Sequence, residues 1–169
     1  MAEQPLWTIA EIVEATGGQL EGDVNRRLDG VAIDSRAVGN GDIFVAIKGD
    51  RTDGHEYAAS ALKSGAGVAI VSRPDDAMRD AGPVLIVDDA LAALEAMGRA
   101  ARVRSAAHVI AVTGSVGKTT TKDALRIALS SCGETHASVS SFNNQWGVPL
   151  TLARLSRTAQ YGVFEVGMN

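Results

Sequence analysis

Lys118 and Thr119 close a glycine-bounded loop, Thr113-Gly114-Ser115-Val116-Gly117-Lys118-Thr119, set between an apolar run and a helix-like pattern. These residue types in this order suit a phosphate. A helix N-terminus leaves backbone N–H groups unsatisfied and carries partial positive charge. Glycines let successive amides turn inward on an anion. Lys118 adds a full charge able to reach terminal phosphates, and Thr119 offers a hydroxyl oxygen to Mg²⁺. The general pattern G-x-x-x-x-G-K-[ST] is not met, because Val112 stands five before Gly117. The shorter T-G-x-x-G-K-T-T stands here, with Thr120 as its last member. The loop is predicted to bind phosphate. The plainer alternative is a glycine turn with a chance lysine at a helix start.

A phosphate site with Mg²⁺ usually takes a carboxylate from the end of a neighbouring strand. Glu165, a charge inside the apolar run "YGVFEV", is the candidate. Burying it costs free energy unless it is paired or metal-bound. The alternative is a solvent-facing glutamate on an edge strand. Asn143 and Asn144 precede a turn and an amphipathic helix in "SFNNQWGVPLTLARL". They are either cap residues or amide ligands of phosphate and sugar oxygens. Farther upstream, Asp34-Ser35-Arg36 ends one apolar run and Lys48-Gly49 ends the next. Asp53-Gly54-His55 forms a turn into a helix. Each of these alone also reads as an ordinary surface or cap residue.

The elements that must hold these groups alternate between strand and helix. Thr8-Ile9-Ala10-Glu11 has capping-box spacing, and Gly17-Gly18 ends the helix it opens. "GVAIDSR" and "GDIFVAIKG" are predicted as two buried strands around a turn at Gly39-Asn40-Gly41. "GHEYAASALKSGAG" is a short helix; "VAIVSR" and "VLIVDD" are strands; Ala90 to Ser105 is an alanine-rich helix. Then "HVIAV" begins a new unit as a buried strand. "KTTTKDALRIALSSCG" is its helix, "THASV" and "YGVFEV" its further strands. Mixed or parallel sheets follow from the alternation. A domain boundary is predicted near residue 105, giving 1–105 and 106–169. The second stretch is short for a sheet that must be covered on both faces, so a piece of a longer protein is expected.

Composition agrees. Of 169 residues 46% are hydrophobic and 4% aromatic, so a core of small aliphatics can form and disorder is not the default. The net charge of -4, with no basic stripe, argues against nucleic acid as the main partner. No 18-residue apolar stretch suggests a membrane span, and the N-terminus is no secretory signal. Cys132 stands alone, so there is no disulfide framework, as befits a reducing cytoplasm.

Taken together, the motifs resemble the Mur ligase family of bacterial cell-wall synthesis along nearly the whole chain. "DSR…GDIFVAIKG…DGHEY" resembles its N-terminal uridine-nucleotide-binding domain. "VTGSVGKTTTKDAL" resembles its ATP loop and accounts for the shortened spacing. The resemblance implies an α/β fold: a small uridine-nucleotide-binding domain, then the start of a P-loop, parallel-sheet ATPase domain. It implies ATP held by Thr113 to Thr120, with Lys118 and Glu165 as the catalytic pair and Thr119 and Glu165 on Mg²⁺. Asn143 and Asn144 would lie near substrate phosphates, and Ser35, Arg36, Lys48 and Gly49 would line the uridine pocket. Within the family, the serine-valine loop, "NNQWGVPLTLARL" and "FEVGMN" most resemble the member joining D-alanyl-D-alanine to UDP-N-acetylmuramoyl-tripeptide. The member that adds the third amino acid is the alternative. A nucleotide-binding module without chemistry is the alternative of another class. A cytoplasmic monomer is implied, with no nucleic-acid or membrane partner. The 169-residue chain alone is expected to lack ligase activity.

Overall fold

A computed structural model describes residues 4–49, 52–139 and 144–167. The chain divides into two compact units, Met1–Met97 and Gly98–Asn169, each described by itself below. The architecture is α/β, with parallel pairing in both sheets.

The first unit opens with α1 (Ile9–Thr16). The Thr8 side chain accepts from the Glu11 amide while the Glu11 carboxylate accepts from the Thr8 amide, the reciprocal capping box its sequence announces. The sheet contains β1 (Gln19–Glu21), β2 (Gly30–Ala32), β3 (Asp42–Val45), β4 (Val68–Val71) and β5 (Val84–Ile86). Its order is β1-β5-β4-β3-β2. Strands β2 to β5 run parallel, and β1 closes one edge antiparallel to β5. All four residues of β4 are buried, as a strand covered on both faces requires. Helices α2 (Ala58–Lys63) and α3 (Asp76–Ala81) cover one face, where Phe44, Leu62, Ala69, Met78 and Val84 share a core cluster.

Two strands are shorter than the sequence suggests. The run "GVAIDSR" leaves the sheet after Ala32, because the Asp34 carboxylate accepts the Arg36 amide at 3.0 Å and turns Ser35–Ala37 into a 3-10 helix. A local side-chain bond of this kind competes with the sheet ladder. The run "GDIFVAIKG" leaves after Val45: Ile47 donates back to the Val45 carbonyl at 3.0 Å, a tight turn that sets Lys48 and Gly49 beyond the strand. Strand β1 and helix α3 are absent from the sequence reading. The first has only three residues; the second is announced only by Asp75, whose side chain accepts from the Met78 amide.

Helix α4 (Ala90–Arg104) matches its sequence pattern closely, and the division between the units falls inside it. The second unit then contains β6 (His108–Val112), α5 (Lys118–Ser130), β7 (Thr135–Ala137), α6 (Gly147–Ala153) and β8 (Tyr161–Glu165). Its three strands are parallel in the order β6-β8-β7. Ala107, Leu155, Ala159 and Phe164 form its core cluster. Strand β6 is not the buried strand its apolar run suggests: it lies at an edge of this sheet, with His108 and Ala111 exposed.

Candidate functional site

Because β6, β7 and β8 are parallel, their carboxyl ends open on the same side, the usual location of a ligand in such a sheet. Val112 of β6 is in register with Glu165 of β8, and Ala137 of β7 with Val163. The loop after Val112 therefore starts beside Glu165. The Val166 amide ties the two strand ends together through the Val112 carbonyl at 2.9 Å.

The loop turns through two residues with positive φ, Gly114 at 149° and Gly117 at 78°. No side chain crowds Gly117; the left-handed backbone alone demands glycine there. Gly117 is also the residue before α5, so the helix's first amides face the loop without a side-chain cap. Thr113, Ser115, Val116, Gly117, Thr119 and Thr120 are exposed, and Val116 is 87% exposed. An apolar side chain so placed adds nothing to the core. The Lys118 ammonium donates to the Gly114 carbonyl at 2.7 Å and so spans the loop.

Glu165 is 2% exposed, which rules out a solvent-facing edge glutamate. Its Oε2 accepts from the Thr119 hydroxyl at 3.0 Å, and its amide donates to the Ser138 hydroxyl at 3.1 Å. The donor set fits a small hard cation. Both groups offer oxygen, and ligands at right angles on a cation with ~2.1 Å metal–oxygen bonds lie ~3 Å apart. Among the described residues, no cluster of three or more His, Cys, Asp or Glu could hold a metal ion. A cation here would complete its shell with phosphate and water, as Mg²⁺ commonly does.

Lys122 and Ser138 escape the sequence reading. Lys122, on α5, is 3% exposed and donates to the Ser138 carbonyl at 3.0 Å. A lysine in "TTTKDAL" carries no sign that it points inward; only the structure shows it.

Asn144 braces the turn that leads into α6. Its side-chain oxygen accepts from the Trp146 and Gly147 amides at 3.2 and 2.9 Å, at the start of α6. Asn143 lies outside the described residues.

In the first unit, Ser35 and Arg36 follow β2, and Lys48 and Gly49 follow β3. Those strands are parallel neighbours, so all four residues lie toward the same carboxyl edge. Arg36 forks onto Asp34, with bonds of 2.9 and 2.7 Å. These bonds hold the Asp34 carboxyl down at about 2. Lys48 pairs with Asp53 in a short antiparallel bridge, and Gly49 donates to the Thr52 carbonyl at 2.9 Å. Asp53 in turn accepts from the His55 amide, the His55 ring (2.7 Å) and Arg73. Burial pushes the Asp53 carboxyl up, but the bonds from His55 and Arg73 prevail and hold it at about 2. His55 Nε2 faces both the Ser72 amide at 3.0 Å and the Ser72 hydroxyl at 3.1 Å. This Asp53-His55-Ser72 line has the outline of a nucleophilic triad without its chemistry. The backbone amide occupies the lone pair that would have to take the hydroxyl proton.

Residues 27–111 match the Mur ligase family, catalytic domain, and residues 112–169 match the Mur ligase middle domain. The UDP-N-acetylmuramoyl-tripeptide–D-alanyl-D-alanine ligase of Escherichia coli (strain K12) is 40% identical over 162 residues, covering 96% of this chain and 35% of the relative. The ligase of the same name from Bacillus subtilis (strain 168) is 34% identical over 171 residues, covering 100% of this chain and 37% of the relative. A crystal structure of MurF from Acinetobacter baumannii superposes with a TM-score of 0.84 at 38% identity, covering 96% of this chain and 36% of that one. MurF from Thermotoga maritima, solved in complex with ADP, superposes at 0.62 with 29% identity over 82% of this chain and 32% of that one. The chain thus spans about a third of the length of the relatives it matches. Profile, sequence and fold agree along both units: the chain belongs to the Mur ligase family.

Proposed function

We propose that this chain supplies the uridine-nucleotide-binding part and the ATP loop of a ligase that joins D-alanyl-D-alanine to UDP-N-acetylmuramoyl-tripeptide. The observation that carries this reading is the set Gly114, Gly117, Lys118, Thr119 and Glu165 at the carboxyl edge of a parallel sheet. The names of the relatives favour this member over the one that adds the third amino acid.

The reaction is phosphoryl transfer followed by acyl transfer. The tripeptide carboxylate takes the γ-phosphoryl group of ATP, and the amine of D-alanyl-D-alanine then displaces phosphate from the acyl phosphate. Phosphoryl transfer depends mainly on positioning and neutralisation of charge. The amides from Gly114 to Thr119 cradle the phosphates. Lys118 exchanges its bond with the Gly114 carbonyl for the terminal phosphates, so the loop needs no large rearrangement. Thr119 and Glu165 would hold Mg²⁺, which would supply positive charge to offset the negative charge developing on the phosphates. Ser35, Arg36, Lys48 and Gly49 take the uridine nucleotide. The lone cysteine suits a cytoplasmic enzyme.

The test is a chimera in which this chain replaces the matching N-terminal third of the Escherichia coli ligase. With ATP, Mg²⁺, UDP-linked tripeptide and D-alanyl-D-alanine, it should release ADP and form the pentapeptide. A folded chimera that performs no better than its Lys118→Ala form would defeat the proposal.

A further inference from the structure

Glu165 is held from behind as well as from the front. Its carboxylate meets Thr119, while its backbone amide donates to the Ser138 hydroxyl at 3.1 Å. Ser138 is itself 3% exposed and lies just beyond β7, where its amide donates to the Val163 carbonyl at 3.0 Å. The Ser138 carbonyl takes a bond from Lys122 at 3.0 Å. Lys122 is 3% exposed, and its ammonium lies 3.2 Å from the carboxylate of the neighbouring Asp123. The result is a continuous line from α5 through the end of β7 to the end of β8: Lys122, Ser138, Glu165, and back to Thr119 one turn earlier on α5.

A buried ammonium is a costly way to tie a helix to the end of a strand, since an apolar side chain of similar length could fill the same space. Its bond is directional, however. Lys122 and Thr119 are three residues apart on α5 and so share a helix face. One helix face therefore grips both ends of the ligand set, the carboxylate through Thr119 and the backbone behind it through Lys122 and Ser138.

We infer that Lys122 is a positioning residue for Glu165, acting through Ser138 to fix the carboxylate where a divalent cation on the nucleotide phosphates would bind. The inference rests on the proposed reading of Glu165 as a cation ligand. Residues that orient metal ligands commonly change metal affinity by about 10–100-fold when removed.

The chimera described above, which completes the second unit, serves for the test. Calorimetry gives the affinity of metal-free ADP in EDTA and of Mn²⁺·ADP, for wild type, Lys122→Met, Ser138→Ala, Ser138→Thr and Glu165→Gln. Hydrogen exchange of the Glu165 amide is followed by NMR in the same proteins without nucleotide. In Lys122→Met the advantage of Mn²⁺·ADP over metal-free ADP should fall about tenfold, with metal-free ADP affinity nearly unchanged. The Glu165 amide should exchange faster. Ser138→Ala should behave alike and Ser138→Thr should retain the wild-type values. If Lys122→Met does not fold, the two Ser138 variants decide the matter. An equal fall in both affinities would mark a merely structural lysine and overturn the inference. So would an unchanged advantage in Lys122→Met or Ser138→Ala beside a reduced one in Glu165→Gln. An unchanged advantage in Glu165→Gln, or no Mn²⁺ advantage in wild type, would overturn the cation reading and the inference with it.

Discussion

The Thr119 hydroxyl donates to the Glu165 carboxylate at 3.0 Å across 46 positions of sequence. One residue lies in the first turn of helix α5 and the other ends strand β8, so a single bond joins the loop's helix to the strand beside it. The bond also supplies a buried charge with a donor. Thr119→Val keeps the shape and removes the hydroxyl. We expect a loss of about 1–2 kcal/mol in denaturant unfolding, with Thr119→Ser close to wild type. Equal stability of Thr119→Val and wild type would show that the bond contributes nothing.

Lys118→Ala removes the charge that spans the loop. Charge-assisted hydrogen bonds to phosphate are worth about 1.5–3 kcal/mol, so ATP affinity should fall by roughly one to two decades. Calorimetry in the chimera described above checks this. Unchanged affinity would remove Lys118 from the site.

The first unit should respond to acid through Asp53. Its native carboxyl is held at about 2, below the ~3.9 of an unfolded chain. A depressed carboxyl contributes stability fully above the unfolded value, and that contribution is lost as pH falls through the folded value. Asp53→Asn should therefore be less stable than wild type at neutral pH, by about 2.6 kcal/mol at most. The gap should close as pH drops from about 4 to about 2. A gap independent of pH, in thermal or urea unfolding, would mean that the ionised carboxylate is not what His55 and Arg73 stabilise.

The proposed uridine pocket is open to direct observation. Titration of the 169-residue chain with the UDP-linked tripeptide should shift the amide signals of Ser35, Arg36 and Gly49. Shifts confined to Gly114 through Thr119 would move the substrate site away from the first unit.

The sequence is most readable where a residue's type dictates its place. The glycines and Lys118 expose the loop because few other structures need that combination, and Glu165 shows itself as a charge inside an apolar strand. Helix α4 and helix α5 carry enough turns for their limits to be read within one residue and three residues respectively. Short elements are less readable. Strand β1 has three residues and takes its identity from pairing with β5, a relation absent from any local window. Asp34 looks like the end of a strand but caps a 3-10 turn, since a short carboxylate can serve its own backbone. Asn144 similarly serves the turn into α6. Lys122 is hidden for a different reason: burial of a lysine is decided by what lies across from the helix, here the Ser138 carbonyl.

The strand order β6-β8-β7 also has a consequence for how the chain is made. The strand that joins β6 to β7 is the last of the three to be synthesised, and neither outer strand has a partner in this sheet until it arrives. On the ribosome, β6 and β7 must wait, and their pairing closes long sequence gaps, the slow step in parallel sheets. Glu165 is the final residue of that late strand. The carboxylate behind the glycine-bounded loop and the sheet that supports it are thus completed in a single event, so a nascent chain halted before β8 has the loop sequence without the sheet that would hold it.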